Sequence, residues 1–326
     1  MGIRVCTDHI VHSSLKSLSF SLSHRLVSIP ISNPFDYLTT SRLSKMPELK
    51  AFRGDYYLWK YVPSLPAAII FLILFFVATI FHFWKIHRTK AWFCLAFAIG
   101  GLFEVIGYIG RIAAYDSTDS VTVYAIQNVF LLLGPVLFAA SIYMALGRII
   151  RSVHAEKHSP IRIKWLTKTF VMGDVVSFLV QGSASGLMAT GNNAKMGSNI
   201  VVAGLVIQVI MFGLFIVTSI VFDVRMRRSP TPEAFDERIN WMSQLRTSYA
   251  VSALVLIRSI FRVVEFAMGV DGYPLTHEWM LYVFDSVLMI AAMFIWGVWH
   301  PGALHRFIKA EERNVSILTG GAELKA

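Results

Sequence analysis

The sequence predicts an all-α integral membrane protein, a bundle of seven transmembrane helices with its N-terminus outside and its C-terminus in the cytosol. Seven apolar windows reach the roughly 20 residues needed to cross a hydrocarbon core of about 30 Å as a helix. Hydrophobic residues make up 55% of the chain and charged residues only 15%, against about 25% charged in soluble domains. Basic residues also crowd every second loop, the asymmetry that sets orientation in membrane proteins.

The windows are Val62–Trp84, Ala91–Ala114, Val121–Gly147, Trp165–Thr190, Asn199–Phe222, Tyr249–Val270 and Trp279–Trp299. The first, third and fifth are the cleanest, and the other four carry ionisable residues. Lys85, Arg88 and Lys90 follow the first window, and Arg148, Arg151, Lys157, Arg162 and Lys164 follow the third. Arg225, Arg227, Arg228, Arg238 and Arg246 follow the fifth, and Arg306, Lys309, Arg313 and Lys325 the seventh. The intervening loops hold one Lys or Arg between them, Lys195. These four basic segments are expected to be cytosolic. Lys45, Lys50, Arg53 and Lys60 ahead of the first window argue the other way and are outvoted.

The membrane domain is read as residues 51–302, with a cytosolic tail at 303–326. Residues 1–50 are Ser- and His-rich and contain no hydrophobic stretch long enough for a signal peptide. They are read as a disordered or over-extended N-terminal segment, with Met46 a second plausible start. Pro63, Pro66 and Pro135, with the small residues around Ala184, are read as kinks or close packing, and His300-Pro301-Gly302 as a helix stop.

Several function classes are disfavoured. The formal net charge of +10 comes without a nucleic-acid reader motif, and in this setting it fits cytosolic loops facing anionic lipid headgroups. Cys6 and Cys94 cannot build a disulfide framework. No Walker-type phosphate loop is present, so any transport is expected to run without an ATPase of the chain's own. No nucleophile elbow or intramembrane histidine cluster appears, and neither an enzyme nor a cofactor is expected.

The informative residues are the ionisable ones inside the windows, because a charge there is costly and usually faces the bundle interior. Glu104, Tyr108 and Arg111 fall at i, i+4 and i+7, on one helical face, and so do Arg258, Arg262 and Glu265. Asp174 and Gln181 share a face of the fourth window, and Tyr282 and Asp285 lie in the seventh. Depth counted at about 1.5 Å per residue predicts three paired layers. They are Asp174 with Arg258, Glu104 with Arg262, and Arg111 with Glu265 or Asp285. Four acids against three bases leave one carboxylate over, free to meet a cationic headgroup or carry a proton. Such pairs can also serve only to fix helix register.

The run Glu104-Val-Ile-Gly107-Tyr108-Ile-Gly110-Arg111 resembles the signature of the fungal lipid-translocating exporter, or RTA-like, family. So do Gln127, Gly134-Pro135, Ala139-Ala140 and Tyr143 in the third window, and Phe170 to Asp174 with Gln181-Gly182 in the fourth. Gly204 and Gln208, the Arg258–Glu265 run, and Glu278, Tyr282, Asp285 and His300-Pro301-Gly302 complete the set, which runs from about Tyr61 to Gly302. The resemblance implies a seven-helix protein of fungal plasma or internal membranes. It further implies export or transbilayer movement of sphingoid long-chain bases, resistance to toxic sterol analogues and drugs, and porphyrin traffic. It supplies no catalytic residues.

Together these readings predict a transporter for amphipathic lipids or lipophilic toxicants. Its polar path or network would comprise Glu104, Tyr108, Arg111, Gln127, Asp174, Gln181, Arg258, Arg262, Glu265, Tyr282 and Asp285. A lipid-sensing receptor or regulator and an intramembrane enzyme stay open as alternatives. The oligomeric state is not addressed by the sequence.

Overall fold

The computed structural model describes Leu49 and residues 57–189, 194–236, 240–269 and 272–299. Every described residue lies in the unit Glu48–Ala326. The N-terminal segment up to residue 48, the His300-Pro301-Gly302 stop and the tail at 303–326 lie outside the described residues.

Among the described residues all regular structure is helical. The long elements are α1 (Leu65–Thr89), α2 (Leu95–Asp116), α3 (Val121–Ser152), α4 (Ile163–Ala189), α5 (Ala194–Arg228) and α6 (Trp241–Ala267). The last rod, α7 (Glu278–Val298), is a turn of α-helix, a π-helical stretch Tyr282–Val287 and a final α-helix Leu288–Val298. Consecutive helices pack as neighbours and α7 returns to α1, while α3 packs against α2, α4 and α6. That places α3 inside the ring.

Five of these rods, α1, α2, α3, α5 and α7, are long and apolar enough to cross a membrane. Helices α4 and α6 have the length, 27 residues each, but carry Lys168 and Asp174, and Arg246, Arg258, Arg262 and Glu265 respectively. Helix α1 turns Ile69, Ile70, Ile73, Phe76, Val77 and Ile80 outward, an apolar surface that water would not tolerate over this extent. Half-exposed tryptophans mark the rod ends: Trp84, Trp92, Trp165 and Trp299 with the basic residues, Trp279 at the other end. This is the aromatic belt of an integral membrane protein.

The helices outlast their apolar windows. Helix α3 continues through Arg148 and Arg151, and α5 through Arg225, Arg227 and Arg228. A helix keeps its own amides and carbonyls bonded wherever it runs, so leaving the hydrocarbon gives it no reason to stop. Pro63 and Pro66 do not kink α1: Pro63 precedes it and Pro66 sits in its first turn, where no amide donor is needed. Gly182 faces open space rather than a packed neighbour.

Small residues set the tightest contact. A β-carbon at Gly100 would lie 2.7 Å from the Gly134 carbonyl oxygen, and one at Gly107 would lie 2.7 Å from the Leu131 side chain. Helices α2 and α3 therefore touch backbone to backbone, as small residues allow in membranes. Below the contact Phe97 stacks on Phe138 at 4.3 Å and on Trp296 at 5.1 Å. Replacing Gly100 by Val is expected to separate α2 from α3 and cost about 1–3 kcal/mol. Thermal unfolding of the purified protein in detergent measures it, and Gly182→Ala is the near-neutral control.

Candidate functional site

Seven charged side chains singled out from the sequence, Glu104, Arg111, Asp174, Arg258, Arg262, Glu265 and Asp285, are each at most 4% exposed. An ion taken out of water costs several kcal/mol unless it is paired and hydrogen-bonded, so their partners decide what they do.

The central contact starts from a proline. Pro135 has no amide hydrogen, so the helix leaves the carbonyl four residues earlier, that of Leu131, without its donor. Arg258 supplies one: its Nη2 donates to Leu131 O at 2.6 Å, while its Nε donates to Asp285 Oδ1 in a short ion pair. One guanidinium thus joins α6 to α3 and α7. Asp285 belongs to the π-helical stretch, where the widened turn re-aims side chains. The next residue, Ser286, is hydrogen-bonded to the Tyr108 hydroxyl of α2.

A second cluster joins α1, α2 and α7. Arg111 Nη2 donates to Glu278 Oε1 at 2.7 Å and to the Tyr61 hydroxyl at 3.2 Å, and its Nε donates to the Tyr282 hydroxyl at 3.1 Å. Tyr282 donates to Glu278 at 2.9 Å, and the same carboxylate accepts the Ser64 amide at 2.7 Å, at the start of α1. The guanidinium also lies 5.2 Å from the Tyr282 ring and 5.7 Å from the Tyr61 ring, in cation–π range. The third pair stays within α6: Arg262 Nη1 donates to Glu265 Oε2 at 2.7 Å.

Each of these three arginines therefore holds a carboxylate, and Glu104 and Asp174 are the two acids without one. Asp174 Oδ2 accepts the Tyr143 hydroxyl at 2.9 Å, and its Oδ1 has no hydrogen-bond partner. Glu104 Oε1 has none either. It lies against Gly134, where a β-carbon would come within 2.5 Å of it, and in the fields of Asp285, Arg258 and Arg262. Nearby, Gln181 donates to Gln208 at 3.1 Å between α4 and α5. Gln127 Oε1 is buried without a partner beside a cavity of about 70 Å³ that Arg262 and Glu265 also line.

The three layers expected from depth are not the ones formed. Asp174 does not meet Arg258, because α4 packs on α3 and α5 whereas α6 packs on α3, α5 and α7. Arg262 bonds Glu265 rather than Glu104, and Arg111 takes Glu278 rather than Glu265 or Asp285. Glu278 was absent from the expected network, as were the partners Tyr61, Tyr143, Gln208 and Ser286. A signal for Glu278 existed: Glu278, Tyr282 and Asp285 repeat the i, i+4, i+7 spacing of α2 and α6.

Substituting Arg258 by Met strands both Asp285 and the Leu131 carbonyl in the interior. It is expected to destabilise the protein by about 3–5 kcal/mol, the scale for breaking a buried pair. Glu104→Gln, which removes a buried carboxyl with no arginine of its own, is expected not to lower the melting temperature in detergent.

Comparison with known proteins gives these residues a family. The RTA1 like protein family model matches residues 97–307, a stretch that takes in every charged residue of the buried network. Protoporphyrin uptake protein 1 of Saccharomyces cerevisiae is 34% identical over 75% of this chain and 92% of its own length. Protein RTA1 of the same yeast is 35% identical, over 76% of this chain and 86% of its own. Sphingoid long-chain base transporter RSB1, also from that species, is 26% identical over 79% and 77%. No solved structure matches. With the family pattern spanning the helices that carry the network, the chain belongs to the RTA1-like family.

Proposed function

We propose that this integral membrane protein moves amphipathic lipids or lipophilic toxicants across the bilayer, contributing to lipid export and drug resistance. The observation that carries the reading is the pair of buried carboxylates, Glu104 and Asp174, that no arginine neutralises. An isolated charge inside a membrane bundle costs about 2.5–3.5 kcal/mol even on the lenient insertion scale. A pure scaffold has no use for two such groups, whereas a path for a polar headgroup does. Two relatives add weight, one named for uptake of protoporphyrin and one for transport of a sphingoid long-chain base.

In this reading seven helices cross the membrane, fungal plasma membrane by default, with the N-terminus outside. Helices α4 and α6 cross with Asp174, Arg258, Arg262 and Glu265 turned inward, and with Lys168 and Arg246 exposed. The two interhelical arginine pairs, Arg111 with Glu278 and Arg258 with Asp285, brace the bundle, and Glu104 and Asp174 line the route of the headgroup, which moves down its own gradient or with a coupled ion. The basic helix ends, among them Arg225 and Arg228, lie against anionic lipid headgroups. The chain performs no chemistry on its cargo and needs no cofactor.

The test is transbilayer movement of a fluorescent sphingoid base in liposomes holding the purified protein. Wild type is expected to accelerate it over empty liposomes. Glu104→Gln and Asp174→Asn are expected to lower the rate at least about tenfold, the equivalent of 1.4 kcal/mol, at matched incorporation. A lipid sensor would bind the same molecule and leave its distribution unchanged, and an enzyme would return an altered product.

A further inference from the structure

We infer that Ser229 is a phosphorylation site for a proline-directed protein kinase, and that phosphate there releases the basic end of α5 from anionic lipid; the release rests on the cytosolic placement of that end proposed above. The chain contains three Ser-Pro or Thr-Pro steps, Ser159-Pro160, Ser229-Pro230 and Thr231-Pro232. All three fall in the segments that follow α3 and α5, both expected to face the cytosol. Such kinases take the acceptor in an extended backbone and read the next residue as one without an amide hydrogen, which is proline. A residue ahead of proline is also biased toward the extended form. Ser159 and Thr231 adopt it, with ψ of 127° and 156°, and Ser229 directly follows Arg228, the last residue of α5.

The hydroxyls separate the three. Ser159 Oγ donates to Ile161 O at 2.6 Å, and Thr231 Oγ1 donates to Val153 O at 2.7 Å, where it ties the α5–α6 segment to the end of α3. Both residues are half-buried. Ser229 is exposed, and nothing among the described residues holds its hydroxyl. It can therefore be phosphorylated without first giving up a hydrogen bond. In the transfer the Ser229 oxygen bonds the terminal phosphorus of ATP, the bond to the bridging oxygen breaks, ADP leaves with the electron pair, and the hydroxyl proton passes to the kinase's catalytic carboxylate. Arg225, Arg227 and Arg228 against Asp223 give the end of α5 a net charge of +2. A phosphoserine carries about −1.5 to −2 near neutral pH, so the modification cancels that charge. The attraction to an anionic lipid surface goes with it, since it depends on the count of basic groups held there.

The test incubates the full-length chain in nanodiscs with a mitogen-activated protein kinase and ATP, and maps phosphate by mass spectrometry. Ser229 is expected to take phosphate roughly three- to tenfold faster than Ser159 or Thr231, the factor for one neutral hydrogen bond given up. Exchanging the two residues, Ser229→Thr with Thr231→Ser, is expected to leave the preference at position 229, which separates exposure from a liking of the kinase for serine. No phosphate at Ser229, or faster phosphorylation of Ser159 or Thr231, would overturn the site. Hydrogen exchange over residues 225–236 then reads the release. It is expected to be slower in phosphatidylserine than in phosphatidylcholine nanodiscs, and phosphorylation is expected to abolish the difference. No difference beforehand, or one that survives phosphorylation, overturns the release. Nanodiscs expose both faces of the bilayer and require no movement of cargo, so the site can stand while translocation fails, and translocation can stand while the site fails.

Discussion

The Arg258 guanidinium is the contact on which the rest of the bundle depends. A proline inside a membrane helix frees a carbonyl where no water can reach it, and such a group costs several kcal/mol unless something donates to it. Arg258 meets that demand from α6 and in the same position neutralises Asp285 of α7. The inner helix, α3, is thereby fixed in rotation relative to two outer ones. The π-helical turn of α7 follows from the same contact, since it brings Asp285 to Arg258 and Ser286 to Tyr108. The glycine-lined approach of α2 then brings Glu104 onto Gly134, one residue before the proline.

The charged residues fall into two kinds. Arg111 with Glu278 and Arg258 with Asp285 are close pairs whose arginines or acids also bond backbone or tyrosine partners, as at Leu131, Ser64 and Tyr61, while Arg262 with Glu265 is a pair within α6. Buried pairs of this sort add little net stability against an apolar core, but the two between helices each fix one helix against its neighbours. Glu104 and Asp174 are the other kind, held by packing and a tyrosine hydroxyl. Their acid groups keep capacity for a partner that the protein does not itself provide.

How much of this could be read from the chain differs by element. The apolar windows and loop charges gave an all-helical membrane protein directly, because bilayer thickness and backbone bonding leave few choices. The face-sharing of Glu104, Tyr108 and Arg111, and of Arg258, Arg262 and Glu265, followed from helical spacing alone. The pairing did not. Depth along a helix ranks residues by layer, but which helices touch is a tertiary fact, and α6 lies against α3 and α7 rather than α4. Glu278, part of the family resemblance, was left out of the polar network because it stands ahead of its apolar window, where a carboxylate looks solvated; Arg111 and the start of α1 draw it into the protein. The link from Pro135 to Arg258 has no signature in spacing, because it joins residues more than a hundred positions apart.

The most direct measurement of the division between bracing pairs and working carboxylates is the movement of a fluorescent sphingoid base through liposomes holding Arg258→Gln combined with Asp285→Asn. This double substitution removes both charges while leaving side chains that can still hydrogen-bond each other and the Leu131 carbonyl. The expected result is a folded protein that keeps the wild-type rate to within about threefold, under 1 kcal/mol. A folded double variant with no movement above empty liposomes would contradict the account, by showing that the pair itself belongs to the path.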